Sequence, residues 1–242
     1  WINFIEIKYP DLLPHLSTAK SPQGMFGAVA KTYFAETQGL KPEDVYSVSI
    51  MPCTAKKFER GRDGQSAMGV PDVDVALTTR ELGRMIERAG IDFVNLPDEV
   101  FDEPLGISTG AGVIFGVTGG VTEAVLRRIS ADKSPAALSA LAFNGMRGND
   151  GIKETTVKSG GKELRIAVVS GLGSAREIIK RIKGGEHFDF VEIMACPGGC
   201  VAGAGTVVSA DTAAKKLAQH MAQASGETAK DSKYRDLADQ LN

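Results

Sequence analysis

Cysteine is scarce in this sequence: 242 residues carry three. An odd and sparse set excludes the dense, even-numbered disulfide framework of a small secreted domain. It favours a reducing compartment, read here as the cytoplasm. There, three thiols serve as inert core residues, as a nucleophile or as metal ligands. Charge imbalance is also small. A formal net charge of −2 gives no electrostatic grip on nucleic acid or on an anionic membrane. No apolar run approaches the roughly 20 residues of a spanning helix, and no signal peptide is visible. Partners of either kind are therefore not expected. The sequence also lacks an initiating methionine. It opens Trp1-Ile2-Asn3-Phe4-Ile5-Glu6-Ile7, which reads as the inside of a helix or strand. We read this as truncation rather than processing.

What is present is ordinary for a folded domain: 43% hydrophobic and 24% charged residues. That is enough to bury a core without help from a metal. Ser21-Pro22 opens a helical pattern to about Ala35, with serine at the N-cap and proline in the first turn. Val45 to Met51 and Val73 to Leu77 read as strands, and a helix is expected from Thr79 to about Ala89. Asp98 to Glu103 is an acidic surface loop. Ser108 to Gly120 is glycine-rich and leads into a helix to about Ile129. Thr155 to Val169 reads as a hairpin turning at Ser159-Gly160-Gly161-Lys162. A helix from Ser174 to Ile182 and a strand from Phe188 to Met194 follow. Polar helices are expected between Ala213 and Leu241. Alternating strands and helices with short glycine-rich joints predict an α/β fold with parallel sheets.

Two segments share a pattern. Ser49-Ile50-Met51-Pro52-Cys53 and Glu192-Ile193-Met194-Ala195-Cys196 each run strand, methionine, small residue, cysteine. In open α/β sheets ligands bind beyond the carboxyl ends of strands. Either cysteine alone is equally readable as a buried strand-end thiol. The second segment continues Pro197-Gly198-Gly199-Cys200, a tight turn that lets two thiols converge on one ion or cluster. Its bare amides can offset negative charge on thiolate or sulfide. Lys56 and Lys57 follow Cys53 closely. A lysine there is either a solvated surface group or a donor to an anionic ligand.

The segment Met51-Pro52-Cys53-Thr54-Ala55-Lys56-Lys57-Phe58-Glu59 resembles the second motif of the iron-iron ([FeFe]) hydrogenases, and Glu192 to Cys200 resembles the third. The likeness extends through Leu16-Ser17-Thr18-Ala19-Lys20-Ser21-Pro22-Gln23, Thr78-Thr79-Arg80-Glu81-Leu82 and Gly112 to Gly120, and so covers roughly residues 1–205. It implies a two-lobed α/β catalytic domain with mixed or parallel sheets flanked by helices and the active site between the lobes. The lobes are expected at 1–135 and 136–210, with a polar helical tail at 211–242. The implied cofactor is the H-cluster, a [4Fe–4S] cubane bridged to a diiron unit with CO, cyanide and a dithiolate.

Carried over residue by residue, the resemblance implies Cys53 and Cys196 as cubane ligands and Cys200 as the bridging cysteine. Lys56 would hold the cyanide of the distal iron. Met51, Met194 and Phe115 would line the diiron pocket, with Ser21, Pro22, Gln23 and Gly116 also at the cofactor. Ser17 matches a serine of the proton path. The implied partners are ferredoxin or a similar electron carrier and the H-cluster maturation proteins.

Two departures stand out. The first family motif, paired cysteines before a tryptophan, is absent unless Trp1 is its last residue. The fourth cubane ligand and the proton-delivering cysteine are thus missing, so the isolated chain is expected to be inactive. The third motif continues Gly203-Ala204-Gly205-Thr206-Val207 instead of glycines followed by Gln-Pro, which points to a divergent subgroup, slow or sensory. Alternatives are a non-catalytic hydrogen sensor and an iron–sulfur protein of the nuclear prelamin recognition factor type, without the diiron unit. Lys56 and the intact Met-Pro-Cys speak against the latter. A Cys3His zinc site is disfavoured because His15, His187 and His220 are each far in sequence from the cysteine motifs.

Overall fold

The computed structural model describes residues 1–106, 109–129, 151–159 and 161–222. The expected lobe boundary at 135/136, Ser108, Gly160 of the hairpin turn and the tail beyond residue 222 lie outside the described residues. The chain forms two compact units. One comprises Ile2–Leu105 with Gly203–Val207, and the other comprises Trp1, Gly106–Ala202 and Val208–Asn242.

The first unit opens with helix α1, Ile2–Lys8. Helix α2, Pro22–Val29, continues through one π-helical stretch, Ala30–Phe34, into Ala35–Thr37. The helix expected from Ser21-Pro22 is thus present and slightly longer. Strand β1, Val48–Met51, starts later than its apolar pattern, because Val45 closes a 3-10 turn over Pro42–Asp44. A short helix α3, Ala55–Glu59, follows Cys53. Strand β2, Val75–Thr78, pairs with β1 in parallel, Val48 opposite Val75 and Met51 opposite Thr78.

Helix α4, Thr79–Arg88, begins with a reciprocal capping box. Thr78 Oγ1 accepts from the Glu81 N–H at 3.1 Å, and Glu81 accepts from the Thr78 N–H at 2.9 Å. Two otherwise orphaned donors of the helix start are satisfied this way. Helix α2 lies directly on the segment before β2. A Cβ at Gly27 would fall 2.2 Å from the carbonyl oxygen of Asp72, so only glycine fits. Lys20 pairs with buried Asp72 at 2.5 Å and buried Lys31 with Asp74 at 2.7 Å, tying α2 to the same segment at both ends.

The second unit begins with a short helix α5, Gly110–Val113, a 3-10 turn Ile114–Gly116 and helix α6, Gly120–Ile129. Strands β3, Ile152–Ser159, and β4, Lys162–Ser170, form the expected antiparallel hairpin with Ser159 opposite Lys162. Helix α7, Gly171–Lys183, then crosses to strand β5, Phe190–Met194, which pairs with β4 in parallel. The sheet order is β3-β4-β5. Central β4 carries the core: Ile166, Ala167, Val168 and Val169 are at most 2% exposed. Against it, α7 buries Ala175, Ile178 and Ile179, and Leu126 of α6 joins Ile166 and Val168. Helix α8, Ala210–Ala222, begins the tail. Among the described residues the fold is α/β with one parallel and one mixed sheet, as expected.

Candidate functional site

Each unit carries one cysteine motif at the carboxyl end of a parallel strand. In the first unit β1 ends at Met51, and half-buried Cys53 follows. The backbone is fixed here by a strip that returns late in the chain. The Pro52 carbonyl accepts from the Gly205 N–H at 3.1 Å, and the Arg80 N–H donates to the Gly205 carbonyl at 3.1 Å. The Arg80 guanidinium also donates to the Thr206 carbonyl at 2.8 Å. A Cβ at Gly205 would lie 2.8 Å from Thr78 and 3.1 Å from the Pro52 carbonyl carbon, so this contact admits only glycine without a shift.

Lys56, one turn beyond Cys53, donates to Glu59 at 2.5 Å. The same carboxylate accepts from Ser21 Oγ and, at 3.1 Å, from Gln23 Nε2. Gln23 is buried and fully engaged: its amide also donates to the Lys56 carbonyl at 3.3 Å, and its Oε1 accepts from Ser49 Oγ at 2.7 Å. Burial pushes the Glu59 carboxyl up, but hydrogen bonds from Lys56, Ser21 and Gln23, with the Lys56 charge, outweigh it and hold the group below the ordinary carboxylate value. Pro22, Gln23, Ser49 and Met51 line a cavity of about 510 Å3 whose remaining walls are mostly apolar, among them Phe26 and Leu105, with Ser47 and Tyr46 the exceptions.

Ser21 thus occupies the expected N-cap position but makes no side-chain cap, because its hydroxyl is spent on Glu59. Sequence alone does not single out Glu59 or Ser49, although Glu59 stands three residues from Lys56 on one helix, the spacing of an ion pair. Ser17 is exposed, and its hydroxyl accepts from the Ala19 N–H at 3.2 Å.

In the second unit β5 ends at Met194, and Cys196 and Cys200 are exposed. The turn between them is closed by the Gly199 N–H donating to the Cys196 carbonyl at 2.9 Å. Gly198 and Gly199 both take left-handed backbone angles, φ 93° and 89°, which side chains other than glycine resist. Gly199 also presses on the segment around Phe115. A Cβ there would lie 2.6 Å from the Thr118 nitrogen and 2.8 Å from the Gly116 carbonyl oxygen. Gly116 is therefore brought to the cysteine turn, with Phe115 preceding it in the chain. Glu192, which belongs to the motif but gains no role from sequence, is buried on β5 and bonded to the start of α6.

All three cysteines are thiols rather than disulfide halves, and thiolate is a soft ligand suited to iron–sulfur chemistry rather than to hard cations. Two buried hydroxyls, Thr118 and Ser170, have no hydrogen-bond partner among the described residues. Both adjoin the cysteine turn: Gly199 packs on Thr118, and Pro197 lies 3.6 Å from a Cβ placed on Gly171, the residue after Ser170. Unsatisfied donors beside exposed thiols fit a group rich in sulfide and thiolate, since hydrogen bonds to sulfur help set cluster potentials. Among the described residues no three His, Cys, Asp or Glu side chains gather tightly enough for a single metal ion. A cubane spreads its thiolate ligands wider than one ion does, so the two readings do not conflict. Among the described residues no helix is long and apolar enough to cross a membrane.

A family model for the C-terminal domain of the iron only hydrogenase large subunit matches residues 1–204. The chain is 53% identical over 205 residues to the NADP-reducing hydrogenase subunit HndD of Solidesulfovibrio fructosivorans, covering 85% of this chain and 35% of that protein. It is 32% identical over 231 residues to cytosolic iron-sulfur assembly component 3 of Pongo abelii, covering 91% of this chain and 48% of that protein. A solved [FeFe]-hydrogenase, whose structure concerns oxygen damage to the 2Fe subcluster of its H cluster, matches with a TM-score of 0.76 and 37% identity, covering 99% of this chain and 68% of that one. The chain spans about a third to a half of the length of these curated relatives. With its cysteine motifs at strand ends and a family match over most of its length, the chain belongs to the family of C-terminal domains of iron-only ([FeFe]) hydrogenase large subunits.

Proposed function

We propose that this chain is part of the catalytic domain of an [FeFe] hydrogenase that interconverts H2 with protons and electrons, exchanging electrons with a ferredoxin-type carrier in the cytoplasm. The observation that carries the reading is the Lys56 ammonium, fixed on a helix one turn after strand-end Cys53 and beside half-buried Glu59 and Ser21 and buried Gln23. The H-cluster, when bound, supplies the redox chemistry and the making and breaking of the H–H bond. In this reading Cys53 and Cys196 would hold the cubane and Cys200 would hold it together with the diiron unit. Lys56 would donate to an anionic ligand of that unit. Pro22, Gln23, Met51, Phe115, Gly116 and Met194 enclose the diiron unit and keep water away from it. Ser21 acts with Gln23 through Glu59, and Ser17 passes protons.

The experiment is infrared spectroscopy of the full-length protein matured with its accessory proteins. Bands of iron-bound CO and cyanide are expected. Lys56→Ala is expected to deplete those bands and abolish hydrogen evolution while sparing the cubane. Normal bands and normal evolution in that variant would overturn the role given to Lys56.

A second reading is an iron–sulfur protein of the cluster-assembly type. It is favoured by one specific observation: the chain is 32% identical over 231 residues to cytosolic iron-sulfur assembly component 3. A matured protein with a cubane but no CO or cyanide bands would decide for it.

A further inference from the structure

Glu192 is the one acidic residue on β5, and it is 6% exposed. A buried carboxylate is costly unless its oxygens are satisfied. One oxygen accepts from the Gly119 N–H at 2.6 Å, and the other from the N–H and the hydroxyl of Thr122, each at 2.7 Å. The donors belong to the first turn of α6 and the residue before it, so the positive end of that helix also favours the charge. These contacts hold the start of α6 to the strand that leads, two residues after its end at Met194, to Cys196.

The same stretch of chain is gripped a second time, from beyond Cys196. Gly199 lies against Gly116, Val117 and Thr118 with no room for a side chain. Val201 closes on Gly116, with a Cγ 3.1 Å from where a Cβ would stand. The 115–122 segment is therefore clamped by Glu192 before the cysteine turn and by Gly199 within it.

We infer that Glu192 is a positioning residue: by fixing the 115–122 segment to β5, it gives the Cys196–Cys200 turn the surface it rests on and so sets the orientation of both thiolates. The consequence for a cubane rests on the ligand roles proposed above; the geometric part does not. Glutamine is no substitute here. Its NH2 group must face either the Gly119 N–H or the Thr122 pair, donor against donor. Thr122→Val removes one bond alone, and Thr122→Ser keeps all three.

The test is residue-resolved amide hydrogen exchange on the full-length protein before iron loading. In Glu192→Gln, exchange is expected to rise at Gly119 and Thr122, and also at Gly199 and Ala202, whose amides bond the Cys196 and Gly199 carbonyls at 2.9 and 3.1 Å. Thr122→Val should show the same spread with smaller amplitude, Thr122→Ser none, and the β1 amides no change in any variant. If Glu192→Gln fails to fold, Thr122→Val carries the same readout. A rise confined to Gly119 and Thr122 overturns the inference, since Glu192 would then be a helix cap and nothing more. After iron loading, Glu192→Gln should change the oxidised-to-reduced ratio of the cubane at fixed poise by about threefold or more, because cluster potentials follow the hydrogen bonds and charge around the sulfurs. An unchanged ratio also overturns it. Failure of the wild type to bind a cubane leaves the exchange result standing and defeats the proposed function instead.

Discussion

Lys56 and Glu59 stand three residues apart on α3 with Nζ 2.5 Å from Oε2, and the pair is held from outside the helix by Ser21 and Gln23. An ammonium carries three donors and no acceptor. Bonding Glu59 therefore orients Lys56 without exhausting it. Ser21 and Gln23, expected from the family likeness to stand at the cofactor, direct their donors to Glu59 and to the Lys56 carbonyl.

Acid should expose this pair. The folded-state value of Glu59 is lowered from 4.5, so its contribution to stability is present above about pH 4.5 and is lost as pH falls through the lowered value. Urea midpoints of wild type and Glu59→Gln, compared from pH 7 down to pH 3, should converge at the acid end, with wild type the more stable at neutral pH. A difference that does not shrink on acidification would contradict the assignment.

Gly199→Ala and Gly205→Ala should both destabilise, by different mechanisms. The first puts a Cβ 2.6 Å from the Thr118 nitrogen at a left-handed φ of 89°. The second meets Thr78 at 2.8 Å from a backbone that is not left-handed. Overpacking of this kind costs roughly 1–3 kcal/mol, and the left-handed angle adds about 1 kcal/mol or more at Gly199. Denaturant unfolding should therefore rank Gly199→Ala below Gly205→Ala. The reverse order would count against the described turn.

Thr78→Ala removes the hydroxyl that caps α4 and should cost about 1 kcal/mol. The β1–β2 pairing ends at Thr78, so the loss should appear as fraying of the first turn of α4 in hydrogen exchange. A neutral substitution would mean that Glu81, which also bonds Lys57 at 2.5 Å, holds the helix start without the threonine.

The chain supplies three cysteines, one fewer than the four external ligands a cubane uses. Reconstituted as it stands, it should lose iron readily, as metal sites short of a ligand do, and should not evolve hydrogen. A version extended upstream to supply another cysteine should keep its cubane under the same anaerobic conditions. Equal iron retention and turnover in the two would require the ligand set to be reassigned.

The elements are legible in the sequence where local chemistry agrees with tertiary need. Pro22 at the start of α2 and the turn between Ser159 and Lys162 each announce an element. Boundaries slip where apolar pattern and backbone geometry part, as at Val45 and at Phe188. Phe188 lies outside β5 and instead stacks under the Arg165 guanidinium at 4.4 Å. The cysteines and Lys56 are legible as a resemblance. Glu59 and Glu192 are not, because what marks them is the company they keep: donors 36 to 73 residues away in sequence, which no local spacing reveals.

The strip Gly203–Val207 has a consequence for dissecting the molecule. It is encoded after every residue of the second unit's sheet, yet it supplies the partner for the Pro52 carbonyl and receives the Arg80 N–H in the first unit. A fragment stopped at Leu105 would keep β1, β2 and the capping box but would bare both of those backbone groups beside Cys53. No single cut in the polypeptide releases the first unit whole. A working half would have to be made by splicing those five residues back on through a linker, and limited proteolysis near residue 105 should leave two pieces that still co-purify.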